Sequence, residues 1–225
     1  MSTALATPLR IDFVSDISCP WCAIGLASFE LALQGLRATV TGAIHVQPFE
    51  LNPQMGPEGE DITEHLGRKY GSTPQQQAQV REMIRQRGAD VGFDFAPAGR
   101  GRIWNTFDAH RLLHWAGEAA GPDAQLALKK ALLVACHGRS ESPADRAVLL
   151  AACTQAGLDA DVAAGVLDSN AGADAVRAAE ARWQQAGIQS VPAFIINERY
   201  LLSGGQPPEV FEQALRQIAE DIADV

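Results

Sequence analysis

The strongest constraint on the fold sits near the N-terminus, where a strand signal runs almost directly into a helix signal. Leu9-Arg10-Ile11-Asp12-Phe13-Val14 alternates, so that Leu9, Ile11 and Phe13 share one face of a strand. Ser18-Cys19-Pro20 follows within a few residues. Proline early in a first turn sacrifices no helical hydrogen bond, so this segment reads as a helix start. The helix predicted from it runs to about Leu36 and buries Ile24, Leu31 and Leu33. Residues 44–50 read as a second strand, and residues 52–59, rich in proline and glycine, as a loop.

The middle of the chain is predicted to be helical. Ser72-Thr73-Pro74 can cap and start a helix that ends near Gly92, and Asn105-Thr106 can cap another that carries Phe107, Leu113 and Trp115. Further helices are predicted over residues 123–137, 143–156, 159–168 and 173–186. Ser142-Pro143 supplies a start signal, and Gly138 and Gly157 stand where left-handed C-terminal caps are wanted. The pattern then returns to strands. Ala193-Phe194-Ile195-Ile196-Asn197 is a short apolar run, and Glu198-Arg199 can turn it into Tyr200-Leu201-Leu202-Ser203 as a hairpin. Pro207-Pro208-Glu209 opens a last helix with Val210, Phe211, Leu215, Ile218 and Ile222 on its apolar side. This order predicts an α/β fold. Residues 1–59 and 173–225 form one discontinuous sheet domain, and residues 60–172 form an all-helical insertion.

Cys19 and Cys22 bracket Pro20 and Trp21 at the predicted strand-to-helix junction. Only a thiolate attacks a disulfide: at an ordinary thiol pKa of about 8.5 roughly 3% is ionised at pH ~7, against about 90% at a pKa of roughly 6. A cysteine at a helix start faces unpaired backbone N–H groups and the positive end of the helix dipole, which favour its anion. Pro20 and Trp21 bring no charge, so the expected shift is milder than with a cation between the cysteines. Cys22 stands one turn further on, where it can attack a mixed disulfide on Cys19 and release the substrate. Cys19 is thus read as the nucleophile and Cys22 as the resolving thiol. The residues alone leave two alternatives. A zinc knuckle needs two more ligands, and Cys136 and Cys153, on separate predicted helices, do not repeat the close spacing; no metal site is expected. Two merely buried cysteines would leave the junction position without a reason.

The 225 residues suffice for one large domain or a domain with an insertion. The net charge of −9 repels nucleic-acid phosphates and anionic lipid, so neither is an expected partner. Residues 1–8 show no basic stretch followed by an apolar one, and no run approaches the ~18 apolar residues of a membrane helix. A cytoplasmic location is expected. Four cysteines are too few for a disulfide scaffold, so Cys136 and Cys153 read as small core residues.

Ser190-Val191-Pro192-Ala193 places proline directly before an apolar strand. Such a proline is either an ordinary strand-entry residue or a cis one, and cis accounts for only about 5–6% of X–Pro bonds. Asp12, in mid-strand, reads as a solvated or paired carboxylate, with a proton acceptor for Cys22 as the sharper alternative. Trp104, Trp115 and Trp183 read as core or groove wall.

Five segments occur in order: Asp16-Ile17-Ser18-Cys19-Pro20-Trp21-Cys22, Phe49-Glu50-Leu51-Asn52-Pro53, Asn105-Thr106-Phe107-Asp108-Ala109-His110-Arg111-Leu112, Val191-Pro192-Ala193-Phe194 and Ser203-Gly204-Gly205-Gln206-Pro207-Pro208. Together they resemble the DsbA-like thioredoxin family, in particular its cytoplasmic FrnE-type branch, over almost the whole chain. The resemblance implies a thioredoxin fold with a large all-helical insertion. It implies a cis Val191–Pro192 bond packed against the redox pair, which denies a metal access to the two sulfurs. The backbone N–H and C=O of Val191 are then offered to an extended substrate peptide. The resemblance also sets the helix over residues 105–112 beside the site, with His110 or Asn105 as candidate substrate contacts; Pro20 and Trp21 complete the expected site.

The activity implied is protein-disulfide oxidoreduction on disulfide- or thiol-bearing proteins or small molecules. No cofactor is expected beyond the redox-active pair itself, with glutathione as a candidate co-substrate. Kappa-class glutathione transferases and hydroxychromene carboxylate isomerases resemble the same fold and insertion, but their pattern has serine where Cys19 stands. Cysteine at both ends of the motif favours redox chemistry. A peptide-binding chaperone is the third reading. A lowered thiolate pKa makes the disulfide more oxidising, and a cytoplasm poised at about −220 to −320 mV keeps such a pair reduced, which suggests reductase or isomerase work. Nothing in the residues specifies an oligomeric state.

Overall fold

The computed structural model describes residues 6–223. Most of the N-terminal stretch read as lacking a leader lies outside those residues. In chain order the first elements are β1 (Thr7–Ser15), α1 (Pro20–Gly35), β2 (Val40–Pro48), β3 (Glu60–Asp61), α2 (Ile62–Tyr70), α3 (Pro74–Asp90) and β4 (Arg102–Ile103). They are followed by α4 (Phe107–Leu133), α5 (Arg146–Gln155), α6 (Ala160–Leu167), α7 (Ala173–Gln185), β5 (Ala193–Ile196), β6 (Tyr200–Ser203) and α8 (Pro208–Ala223).

Four strands form the main sheet in the order β2-β1-β5-β6, with β1 parallel to β2 and the other pairs antiparallel. Parallel pairing of β1 and β2 through a crossover helix, followed by an antiparallel hairpin and a last helix, is the thioredoxin arrangement. Register follows the apolar pattern: Ile11 stands opposite Ile44 and Ile196, and Phe13 opposite Val46 and Phe194. On that face Phe194 stacks on Phe13 and Phe29 at 4.8 and 4.4 Å, and Phe211 of α8 meets Phe29 and Phe194 edge-on at 5.1 Å. These four rings lock α1 and α8 to the sheet. Each contributes on the order of 1.5–3 kcal/mol by burial, and cutting one to alanine would cost about 3–5 kcal/mol. Val14 and Ile195 belong to a second cluster, with Trp183 of α7 and Ile188.

β2 is an edge strand, and an open edge invites pairing with another chain. Gln125 covers it. Its side-chain oxygen accepts from the Val46 N–H at 2.8 Å and its amide donates to the Val46 carbonyl at 3.0 Å, as a neighbouring strand would.

The segment between β2 and α7 is helical apart from the two-residue β3–β4 pair. Thr73 and Gln76 form a capping box on α3, as its sequence suggests. The helices predicted before and after residue 122 meet end to end in α4. They join at a kink where Gly121 takes φ 83° and ψ 179° ahead of Pro122, and the far half closes in a π-turn, Val134–Gly138. Arg111, buried, fastens α4 to the α6–α7 connection. It pairs with Asp108 at 2.7 Å and donates to the Ala171 carbonyl at 3.0 Å and to the carbonyls of Val166 and Ser169.

Some local expectations shift. α5 starts at Arg146 under an Asp145 cap, while the Ser142 hydroxyl accepts from the Ala144 N–H in the preceding turn. Ser140, not Gly138, takes the left-handed conformation, whereas Gly157 does so as expected. Leu31 and Val210 are exposed, and Leu33 is half-buried. The buried stripe of α1 runs instead through Cys22, Leu26, Phe29 and Ala32, spaced three or four residues apart.

Candidate redox site

Cys19 is the N-cap of α1 and Pro20 its first helical residue. Extended backbone at Cys19 (φ −92°, ψ 113°) ends the turn from β1, in which the Cys19 N–H donates to the Asp16 carbonyl at 3.2 Å. The helix then begins with the Cys22 N–H donating to the Cys19 carbonyl at 3.1 Å. Cys19 is 4% exposed and Cys22 is wholly buried one turn behind it. A hydrogen bond from the Cys22 thiol pulls the Cys19 thiol below its ordinary value; burial opposes this, and the backbone N–H groups of Cys22 and Trp21 add to it. Cys22 is pushed the other way, well above the ordinary value, by burial and by Cys19. The helix start thus acts as the sequence suggested, and the partner thiol acts more strongly still.

Across from Cys19 lies Val191. The Cys19 thiol donates to the Val191 carbonyl at 3.6 Å, and the Val191–Pro192 bond is cis. Glycines make this approach possible. A Cβ on Gly25 would stand 2.9 Å from Pro192 Cγ and 3.3 Å from Gly205 Cα, and one on Gly205 would stand 3.1 Å from the Trp21 carbonyl oxygen. The Ser203–Pro208 segment is therefore close packing around Trp21. It is held by Gly204 N–H to the Pro192 carbonyl at 2.8 Å and by the Ser28 hydroxyl to the Gln206 carbonyl at 2.5 Å.

Buried charge surrounds the pair. Asp16 accepts from the N–H groups of Ser18 at 3.1 Å and Leu51 at 2.8 Å. Its Oδ1 faces His110 Nε2 at 3.5 Å, too poorly aligned for a hydrogen bond. Burial alone would raise the Asp16 carboxyl, but His110 and the two N–H groups outweigh it and hold it at about 2. Lys129 of α4 is wholly buried with no hydrogen-bond partner for Nζ among the described residues. Burial lowers its pKa, against the charges of Cys22, Asp16 and Cys19. Arg100 reaches in from the loop before β4, donating to the Ser18 carbonyl at 2.6 Å and to Cys136 Sγ at 3.3 Å. His137 donates Nε2–H to the Ile17 carbonyl at 2.9 Å, and burial, then Arg100, hold its pKa well below 6.5.

The residues singled out in the sequence fall in several places. Pro20, Trp21, Val191 and Pro192 gather around Cys19. Asn105 lies in the loop before α4, with its amide donating to the Met55 carbonyl at 3.0 Å and its oxygen accepting from the Phe107 N–H at 2.8 Å. His110 is 1% exposed, against Asp16. Asp12 is paired, to Arg10 at 2.9 and 3.0 Å and to Gln47 at 2.7 Å, which is its plainer reading. Cys136 and Cys153 are wholly buried core residues, and burial pushes Cys153 up to about 11. Sequence reasoning missed Lys129, Arg100 and His137, and it also missed Tyr70 at the end of α2. Tyr70 is 63% exposed, and its pKa is raised by partial burial and by the charge of Cys19. Only the basic character of Lys129 and Arg100 could have flagged them, and exposed residues carry the same signal.

A thioredoxin sheet with two cysteines at the first strand-to-helix junction and a proline loop facing them defines the thiol–disulfide oxidoreductase class of fold. The chain belongs to the DSBA-like thioredoxin domain family, whose model matches residues 10–216. A probable DsbA oxidoreductase from Streptomyces coelicolor is 33% identical with a TM-score of 0.83, over 93% of this chain and 89% of that one. The uncharacterised protein YwbO of Bacillus subtilis is 25% identical over 210 residues, 92% of this chain and 96% of its own. A 2-hydroxychromene-2-carboxylate isomerase shares the fold at 14% identity, with a TM-score of 0.71 over 96% of this chain and 98% of its own.

Proposed function

We propose that the chain exchanges thiols and disulfides with Cys19 as the attacking and Cys22 as the resolving residue. The observation that carries this reading is Cys19 at the N-cap of α1, its thiol 3.6 Å from the Val191 carbonyl before the cis proline, with Cys22 buried one helical turn behind. The lowered Cys19 and raised Cys22 thiols agree with it. The Cys19 thiolate attacks one sulfur of a substrate disulfide. A Cys19–substrate S–S bond forms, the substrate's own S–S bond breaks, and its second sulfur leaves as a thiolate. Cys22 then gives up its proton and attacks Cys19 Sγ. The mixed disulfide breaks, the substrate departs as a dithiol, and its two electrons have come from the Cys19–Cys22 pair, now a disulfide. A thiol such as glutathione, itself oxidised, returns the pair to the reduced form; the opposite direction oxidises a substrate dithiol.

Each neighbour takes a part in this scheme. Val191 offers its backbone to an extended substrate, with Pro192, Pro20 and Trp21 as the walls of the docking site. His110 acts through Asp16, whose charge raises Cys19, and Asn105 holds the loop at the mouth of the insertion. The Lys129 ammonium favours the Cys22 thiolate at the moment it must form. Residues 1–59 and 173–225 serve as the redox domain and residues 60–172 as the insertion that shapes access to it. A cytoplasmic setting, where the reduced pair is the resting state, favours reductase or isomerase work. Cys19→Ser is expected to abolish reduction of a model disulfide, and Cys22→Ser to halt at a stable mixed disulfide on Cys19. Substantial turnover by Cys19→Ser would overturn the proposal. Failure of the unmodified protein to exchange any disulfide, with glutathione-dependent isomerisation or conjugation in its place, would install the kappa-class reading.

A further inference from the structure

A cleft opens between α4 and α7 over the C-terminal half of β2, with a volume of about 620 Å³. Small-molecule sites span roughly 300–1,000 Å³. Its lining includes neither Cys19, Cys22, Trp21, Val191 nor Pro192. Helical spacing explains why it stays open: α7 turns Ala175, Ala178 and Ala179 toward it, and α4 turns Gly117. No side chain on those positions is long enough to fill the gap.

Polar groups ring this space. Arg182 follows the alanines on the same face of α7, and Glu118 stands on α4. Neither has an ion-pair partner among the described residues, whereas Arg10, also in the lining, is committed to Asp12. His45, His110 and His114 also line it, with Gln47 and Gln125, whose amides are already bonded to Asp12 and to the β2 edge. His110 is the telling member. It is 1% exposed and lines the cleft, its Nε2 faces Asp16, and its Nδ1 has no partner among the described residues. A buried imidazole nitrogen without a partner has lost its water and gained nothing in return, unless something supplies a partner.

We propose that this cleft binds a zwitterionic small molecule of the short-peptide class. Its carboxylate would lie on Arg182, whose fork of N–H donors suits that group, its ammonium would lie toward Glu118, and a peptide N–H would donate to His110 Nδ1, the acceptor nitrogen when Nε2–H is turned to Asp16. Other ligand classes fit less well. The histidines and Glu118 do not converge as a metal-holding set among the described residues. A phosphate would meet a single guanidinium, free of ion pairs among the described residues but stacked over Trp183 at 4.7 Å, and the opposing charge of Glu118. The volume exceeds what one free amino acid fills, leaving room for two or three residues.

The test is a titration of the reduced protein with triglycine, read by NMR at the imidazole C–H signals of His45, His110 and His114. Saturable shifts at these histidines are expected with Kd below about 10 mM, and inorganic phosphate at the same concentrations should give none. Arg182→Ala and Glu118→Gln should each weaken binding by about tenfold, or ~1.4 kcal/mol. Absence of saturable shifts, tighter binding of phosphate than of triglycine, or unchanged affinity in both variants would overturn the proposal. Binding is read without thiol turnover, so its failure leaves the redox reading standing.

Discussion

The Cys19 thiol lies 3.6 Å from the carbonyl oxygen of Val191, a residue 172 positions further along the chain. The entire helical insertion lies between them in sequence, yet the sheet order β2-β1-β5-β6 brings β1 and β5 side by side and sets the two residues face to face. Ionisation of Cys19 removes the proton from this contact. In the proposed scheme the carbonyl is then free to accept from a substrate N–H as the sulfur becomes nucleophilic, so that reactivity and docking would rise together.

Lys129 is the first residue to alter. Its ammonium is wholly buried, unpartnered among the described residues, and lowers Cys22 against burial. A buried charge without hydrogen bonds is a poor source of stability, because nothing replaces the water it has lost. Lys129→Met should therefore be at least as stable as the parent in chemical denaturation. It should nonetheless resolve the Cys19 mixed disulfide more slowly, by about three- to fourfold for each tenfold loss of Cys22 thiolate, because the more basic thiolate is also the better nucleophile. Quenched-flow mass spectrometry would follow the intermediate. Unchanged resolution would remove Lys129 from the mechanism.

Asp16 should act in the opposite sense on Cys19. Its charge raises the Cys19 thiol, so Asp16→Asn should make Cys19 more acidic and react faster with iodoacetamide near neutral pH. Stability pays for this. A buried carboxyl held at about 2, against 3.8 in the unfolded chain, contributes on the order of 2 kcal/mol. Because the folded value is the lower one, that contribution is complete above pH 4 or so and is lost as pH falls toward about 2. Urea denaturation should show the gap between parent and variant narrowing over that window. A constant gap would contradict the assignment.

His137 sets a separate acid limit. It is folded as the neutral donor to Ile17, and its pKa lies well below the 6.5 of a free imidazole. Between those two values the unfolded chain binds the extra proton. Stability is therefore full above pH 6.5 and declines below it, by up to ~1.4 kcal/mol per pH unit. His137→Gln keeps a donor for the carbonyl but cannot take a proton. Between pH 7 and 5, the parent should lose roughly 1–2 kcal/mol more than the variant in urea denaturation. Equal losses would show that another group sets the acid limit.

The fold was legible where local signals and tertiary structure agree. The strand-to-helix junction at Cys19, the Thr73 cap, the β5–β6 hairpin and the apolar register of β1 all follow from periodicity and turn chemistry. The redox pair and Val191-Pro192 were legible for the same reason, although only the resemblance joined them. Position within a helix was harder to read. Leu31 and Val210 are apolar yet point outward, because the buried stripe is set by which neighbour covers the helix. Lys129 stands beside Lys130, and two adjacent lysines look alike in sequence. In the structure Lys130 pairs with Glu30 at 2.8 Å while Lys129 turns beneath Cys22. Asp12 is paired with Arg10, as its plainer reading has it, whereas Asp16, the carboxylate that faces the site, carries no sequence signal of its own beyond its place in the motif.

The central claim is the asymmetry between the two thiols, and stepwise alkylation of the reduced protein across pH tests it most directly. Iodoacetamide labelling mapped by peptide mass spectrometry should modify Cys19 first, with a midpoint below that of an ordinary thiol, while Cys22 stays unlabelled well above it. Labelling of Cys22 first, or of both cysteines together at the midpoint of an ordinary thiol, would contradict the account.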